Sequence, residues 1–492
     1  MRPRNVCLAL ATPILLAACG GSGGSEPTGP TVSEMQIVAG AGVSDTVLAK
    51  PFQALTVVVL QNGLPKPGVV VSFEGLPAQG TDPNGPGSTS GGILVSSVAA
   101  NDFVGFVSDT TDLSGRASVL VQFGTRAGDM GVRITYSTLG LWIADTAQFT
   151  VRPGNSTQLI VGVRDTVLQV GASFGIGAYS ADRFRNMRSQ DAVTYLAIDT
   201  VATVNAAGTV QARQAVGRGT VVIRANGFED STHFTVVPIA ELTAVYDGTD
   251  GVSRIATLKL DGSSLRVLGA IKQTAYPSHS PTEDLIAYEQ EMNGGAGITL
   301  QTGTGSARVL VEAAPPWSGR YPAFSADGAS IYFGGTVKYA TYWGYAIWRV
   351  GVDGSGLTMV ATTDAFTTPG LSSDGTRIAF SSGDGMFVQS IATGESVRVG
   401  RHGLFPSFSP DGQRIAYVDY DWGILTIAAV DGSSSRLMTQ NGAYWDERVS
   451  WLPDGNWILR SRFHAPVLVN VASGEEVRLP HLARLREVTV KP

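Results

Sequence analysis

Residues 117–124, ASVLVQFG, alternate so that Ala117, Val119, Val121 and Phe123 share one face, the period-two pattern of a half-buried strand. The second half of the chain writes a related pattern repeatedly. YPSHSPTEDLIAY (276–288), YPAFSADGASIYF (321–333), TPGLSSDGTRIAF (368–380), FPSFSPDGQRIAY (405–417) and RVSWLPDGNWILR (448–460) align as five copies. Each reads as a short strand, a tight polar turn and an apolar strand. Their starts lie 45, 47, 37 and 43 residues apart, the period of a four-stranded propeller blade. A third strand and a Gly turn follow each copy: ITLQTGTGS, AIWRVGVDGSG, MFVQSIATGES, ILTIAAVDGSS and VLVNVASGEE.

Five blades leave a ring open. LTAVYDG (242–248), RIATLKLDGSS (254–264) and LRVL (265–268) supply strands two to four of a blade without its first, and LREVTV (485–490) is a strand without a blade. Joined, they predict a sixth blade shared by both ends of 239–492, which removes exposed sheet edges. On these repeats the segment resembles the TolB-like six-bladed propellers, relatives of the WD-repeat proteins. The resemblance implies protein binding, because TolB is a periplasmic partner of an envelope lipoprotein. The N-terminal domain of TolB has no counterpart here, and nothing is expected to follow the propeller.

Upstream, MQIVAGAGVSDTVLA (35–49) and TQLIVGVRDTVLQ (157–169) share a strand and Asp-Thr-Val-Leu at an offset of 120 residues. KPGVVVSFEG, TDLSGRASV and GTRAGDMGVRITY resemble bacterial Ig-like domains of group 1, over 34–152. DTVLQVGAS, DTVATVNAAGTVQA and GRGTVVIRANG resemble those of group 2, over 153–238. Such modules are, by resemblance, stalk and adhesion units of cell-surface proteins. Residues 75–92 read as a long Gly/Pro/Ser loop. The expected fold class is all-β: two Ig-like β-sandwiches, then a six-bladed β-propeller closed by its N- and C-terminal strands.

Sixty glycines, 24 prolines and 15% charged residues in 492 suit that turn-rich architecture. A net charge of −6 offers no basic face for nucleic acid. The start adds a location. Residues 1–19 carry Arg2 and Arg4, an apolar run from Val6 to Leu16, and Leu16-Ala17-Ala18-Cys19, the order of an export signal. The ending resembles the lipobox of bacterial lipoproteins, which makes Cys19 the lipidated first residue of the mature chain. Cys7 lies in the removed segment, so no disulfide or cysteine metal site remains downstream. Gly20 follows in place of the Asp of an inner-membrane sorting signal, so the cell envelope, at the outer membrane, is the expected location. Residues 20–33 form a Gly/Ser/Pro tether.

Asp327, Asp374, Asp411 and Asp454 each precede a glycine between two strands. Asp bonds nearby backbone N–H groups and Gly tolerates positive φ, so these four are read as turn residues. No loop has the spaced oxygens of an EF-hand-type calcium site. Of five histidines, His279 stands where other copies have Phe324, Phe408 and Trp451, and packing within its blade is expected. Gly20-Gly21-Ser22-Gly23-Gly24 matches G-x-S-x-G but lies in the tether, away from any strand–helix junction. No cofactor is expected. Chemistry is sought where the copies differ, on the loops between strands two and three and between blades, which share one rim. Those loops hold Trp317, Arg320, Tyr339, Tyr342, Trp343, Arg401, His402, Tyr420, Asp421, Trp422, Tyr444, Trp445, Asp446 and Arg462. Aromatic rings interleaved with charges make a recognition surface; the alternative is that the rings pack the loops onto the blades. The expected function is a lipid-anchored envelope protein whose propeller binds a protein or glycan, not an enzyme. Two alternatives stay open: a structural spacer, and a metal-dependent polysaccharide lyase or hydrolase, since TolB-like propellers include lyases with histidine-bound metal.

Overall fold

The structure, a computed structural model, describes the chain apart from residues 1–32, 77–91, 139, 272–274, 293–294, 304–305, 313–317, 341–342, 365–366, 384, 422, 439–447 and 462–465. Described segments are strands and turns, with one 3-10 turn at Pro480–Leu482. The all-β expectation holds. Two units separate: residues 1–158 with 181–188, and residues 159–180 with 189–492.

In the first unit, two five-stranded sheets face each other across one core, which includes Val57, Phe73, Val119, Phe123, Ile134 and Phe149. The alternation read at 117–124 puts Ala117, Val119, Val121 and Phe123 into it. Asp182 and Asn186 also join this unit. Asp182 accepts the Gly154 N–H, and Asn186 bonds Thr125 O and the Ala127 N–H.

The second unit opens with a four-stranded and a three-stranded sheet around Ile176, Val210, Ile223 and Phe234. Then come six four-stranded sheets. Blade 1 takes Leu485–Val490 as its inner strand, followed outward by Glu241–Asp247, Ser253–Lys259 and Arg266–Ala270. Leu242 pairs with Val490 and Tyr246 with Leu485, so the closing strand lies where the repeat arithmetic requires it. Blades 2 to 6 begin at Ser278–His279, Arg320–Phe324, Gly370–Leu371, Gly403–Phe408 and Arg448–Trp451.

The second strand of each repeat copy is buried on both faces, because blades pack against blades. Ile286, Ile331, Ile378, Ile415 and Ile458, one per copy, are all fully buried. Every neighbouring pair of blades shares an apolar cluster, from Val245 with Ile286 between blades 1 and 2 round to Leu459 with Leu242 between 6 and 1. The ring is closed.

Candidate functional site

The repeat copies meet at the axis through their inner strands, and position within the motif decides what each side chain does. The third position is small in every blade: Ser278, Ala323, Gly370, Ser407, Ser450 and, in blade 1, Thr489. Small side chains there leave a cavity of about 500 Å³ along the inner strands. Their hydroxyls link neighbouring blades. Ser407 Oγ accepts the Trp451 N–H at 3.2 Å, and Ser450 and Thr489 hydroxyls lie 3.2 Å apart. Gly370 is needed for close approach, since a Cβ there would meet Pro406 O at 2.1 Å.

Of the residues at the first position, Tyr321, Thr368, Phe405 and Arg448 line that cavity; Tyr276 and Glu487 hold the same position in blades 2 and 1. Tyr276, Tyr321, Phe405 and Glu487 have φ of 39°, 55°, 55° and 52°, a left-handed backbone that a non-glycine residue adopts at a cost. Three of those side chains pack as a ring cluster, with centroids 4.5 Å apart for Tyr276–Tyr321, 5.8 Å for Tyr276–Phe405 and 5.5 Å for Tyr321–Phe405.

Two of the first positions are charged. Glu487 accepts the backbone N–H groups of Ala275 at 2.9 Å and Tyr276 at 2.6 Å; burial raises its carboxyl, and those N–H groups oppose the shift. Arg448 Nη1 donates to Pro277 O at 2.7 Å. Part of Arg448 faces the cavity, but desolvation lowers its guanidinium to about 10, with Glu487 acting the other way. Nearby Glu289, 4% exposed, has Oε1 3.5 Å from Arg320 Nη1, and its buried Oε2 has no hydrogen-bond partner among the described residues. Burial pushes Glu289 up to about 7; Arg320 lowers it and Glu487 raises it further.

The turn aspartates hold the outer edge of the motif. Oδ1 of Asp327, Asp374, Asp411 and Asp454 each accepts the N–H two residues on at 3.0 Å. The following glycines have φ between 66° and 71°. Serine hydroxyls at 325, 372 and 409 donate to the first three carboxylates and, with those backbone donors, hold Asp327, Asp374 and Asp411 below the usual carboxylate range. Their hydrogen bonds stay within the turns.

Of the sequence-derived recognition residues, Trp317, Tyr342, Trp422, Tyr444, Trp445, Asp446 and Arg462 lie outside the described residues, as does Cys19. The described ones form separate groups. In blade 3, Trp343 is 50% exposed under the Lys338 ammonium, 5.6 Å from its ring centroid, and Tyr339 covers Gly344. At blade 5, the His402 and Tyr420 rings are 4.9 Å apart, His402 Nδ1 lies 3.0 Å from Gly383 O, and Arg401 and Asp421 are exposed nearby. Arg320 turns toward Glu289. None of these seven lines the axial cavity.

His279 is buried within its blade, Nδ1 2.9 Å from Ser280 O, and desolvation lowers its pKa. Among the described residues no three His, Cys, Asp or Glu side chains are grouped to hold a metal. The sequence reading did not single out Glu289, Arg448 or Glu487 as functional. Aligning EVTVKP (487–492) with YPSHSP (276–281) and RVSWLP (448–453) exposes the signal: charge at a motif position that is aromatic in three other copies.

No family model matches the chain, and no curated protein matches it. Among solved structures it is similar to TolB from Acinetobacter baumannii, at 15% identity and TM-score 0.45, covering 68% of this chain and 99% of that one. It is also similar to a chain of a nidogen/laminin complex, at 11% identity and TM-score 0.40, over 52% of this chain and 98% of that one. An oligogalacturonate lyase from Vibrio parahaemolyticus is similar at 11% identity and TM-score 0.36, over 63% and 86% respectively. The six-bladed propeller itself rests on the six sheets and the seam between Leu242 and Val490.

Proposed function

We propose that this chain is a lipid-anchored binding protein of the cell envelope. In this reading the Ig-like modules at 34–152 and 153–238 are spacers, and the propeller at 239–492 recognises a protein or glycan. The supporting observation is the axial cavity, whose roughly 500 Å³ suits a short stretch of extended peptide or a few sugar units. Its lining is mostly serine hydroxyls, prolines and rings, with Arg448 and Lys491 as its cations, and Arg448 is the guanidinium that would fix a carboxylate. The preferred ligand therefore carries an acidic group. Exposed Trp343 and Tyr420, which do not line the cavity, offer a second contact on the loop rim. The propeller holds this ligand rather than turning it over.

Ser407→Phe fills the cavity and is expected to abolish partner capture by in-cell crosslinking while the circular dichroism stays that of the parent. Trp343→Ala should weaken capture without abolishing it. Full capture by a folded Ser407→Phe protein would sink the axial reading. Cys19→Ser should abolish fatty-acid labelling, and persistent labelling would refute the anchor.

A further inference from the structure

The first strand of the N-terminal unit starts at Ser33, which pairs with Gln61 beside the Asn62-Gly63 turn. Leu64, just past that turn and paired with Gln61, is 71% exposed. A second turn reaches the same end, because Gly115 O accepts the Val59 N–H at 2.8 Å; it carries Leu113, 93% exposed. From the facing sheet, buried Tyr136 lies beside Ser33. That hairpin returns through Leu141 and Trp142, which pairs with Ser137, and these are 69% and 76% exposed. Four large apolar side chains thus crown the end of the sandwich from which residues 20–32 lead away. Single exposed apolar residues are ordinary, but a group of them marks a surface that meets something apolar.

The length of the leading segment says what. Thirteen residues, 20–32, separate Cys19 from Ser33, and a Gly/Ser-rich chain of that length spans about 20 Å on average. On the reading that Cys19 carries lipid, on which this inference rests, the crowned end is held beside the bilayer. We propose that Leu64, Leu113, Leu141 and Trp142 seat in the boundary between headgroups and acyl chains of the membrane that holds the anchor. Trp suits that boundary because its ring is apolar and its N–H polar. Exposed Lys66, next to Leu64, faces anionic headgroups. Neighbouring Asp112 is engaged by the N–H groups of Ser114 and Arg116 in its own turn. A few side chains bind a bilayer only marginally; the tether makes the attachment effective by keeping their local concentration high. The lipid then sets how this unit stands, rather than only where it is.

The test uses the full chain purified from membranes and placed on phosphatidylethanolamine–phosphatidylglycerol vesicles with bromines on the acyl chains. Leu113→Cys, Trp142→Cys and, at the far end of the sandwich, Phe52→Cys each receive a thiol-reactive bimane. Loss of emission with a blue shift is expected at 113 and 142, and neither at 52. With Cys19 blocked by lipid in the mass spectrum, unquenched labels at 113 and 142, or equal quenching at 52, overturn the proposal while leaving the anchor intact. If Cys19 itself takes the bimane, the anchor reading fails and this inference falls with it.

Discussion

At the first position of the motif, blades 2, 3 and 5 present Tyr276, Tyr321 and Phe405, whereas blades 6 and 1 present Arg448 and Glu487. The two parts occupy one position of one repeat yet answer to different physics. Rings gain from packing, and edge-to-face pairs add about 0.5–1.5 kcal/mol each. Buried charges gain little net, because their desolvation offsets most of their attraction. What the charged part supplies is selectivity of contact. Glu487 holds the N–H groups of Ala275 and Tyr276, and Arg448 holds Pro277 O. Both therefore key the closing strands to the start of blade 2, where rings alone would tolerate other arrangements.

The harshest break of that comparison is to delete Leu485–Val490. Blade 1 loses its inner strand, and the propeller's cooperative thermal transition should vanish; a transition kept at the parent temperature would mean five blades stand alone. Next is Glu487→Ala, which leaves two buried N–H groups without their acceptor, removes the ion pair with Arg486 at 3.7 Å and takes a counter-charge from Arg448. It should cost about 3–5 kcal/mol in urea unfolding, only part of it recovered when Arg448→Met is combined with Glu487→Leu, because the two N–H groups stay unpaired. A double variant no better than the single one would show that the carboxylate, not the pair, matters.

Glu289→Gln should act in the opposite direction. The folded protein keeps the Glu289 proton up to about pH 7, against 4.5 for the ordinary carboxyl. The resulting stabilisation is complete below pH 4.5 and is lost as pH rises through 7. Between those limits the parent should lose about 3 kcal/mol from this group, and the Gln variant should lose none of it. Unfolding midpoints at pH 5 and 8 decide this; a parent and variant with the same slope would refute it. Smallest is Asp411→Ala, expected to cost about 1 kcal/mol and to leave partner capture untouched, as should Asp374→Ala. Loss of capture by a stable Asp411→Ala protein would give the turns a role beyond architecture.

The sequence made the blades legible because Asp-Gly turns and the buried Ile of each second strand recur at fixed positions. It also made the closing strand legible, since LREVTV had no partner of its own. The axis was harder to see. Inner strands are two to six residues long, too short for periodicity to separate side chains facing the axis from those between blades. Arg448 also reads as the tail of a polar loop, NGAYWDER, and Glu289 as the head of another, EQEMNGG. Nothing local says that three-dimensional closure brings residue 289 beside residues 320 and 487. The rim aromatics were visible as composition, but composition does not reveal that Arg320 turns to a buried carboxylate.

The pairing of Leu242 with Val490 also sets a timetable. Strands near residue 242 are made early and wait for a partner from the far end of the sequence, a contact whose closure is slow because the intervening chain must order first. Until it forms, the incomplete ring has two bare edges that another copy could pair with. The molecule's most exposed moment is thus the interval before residue 490 arrives. Protection during that interval, more than added contacts in the finished ring, should govern how much of the protein reaches its place intact.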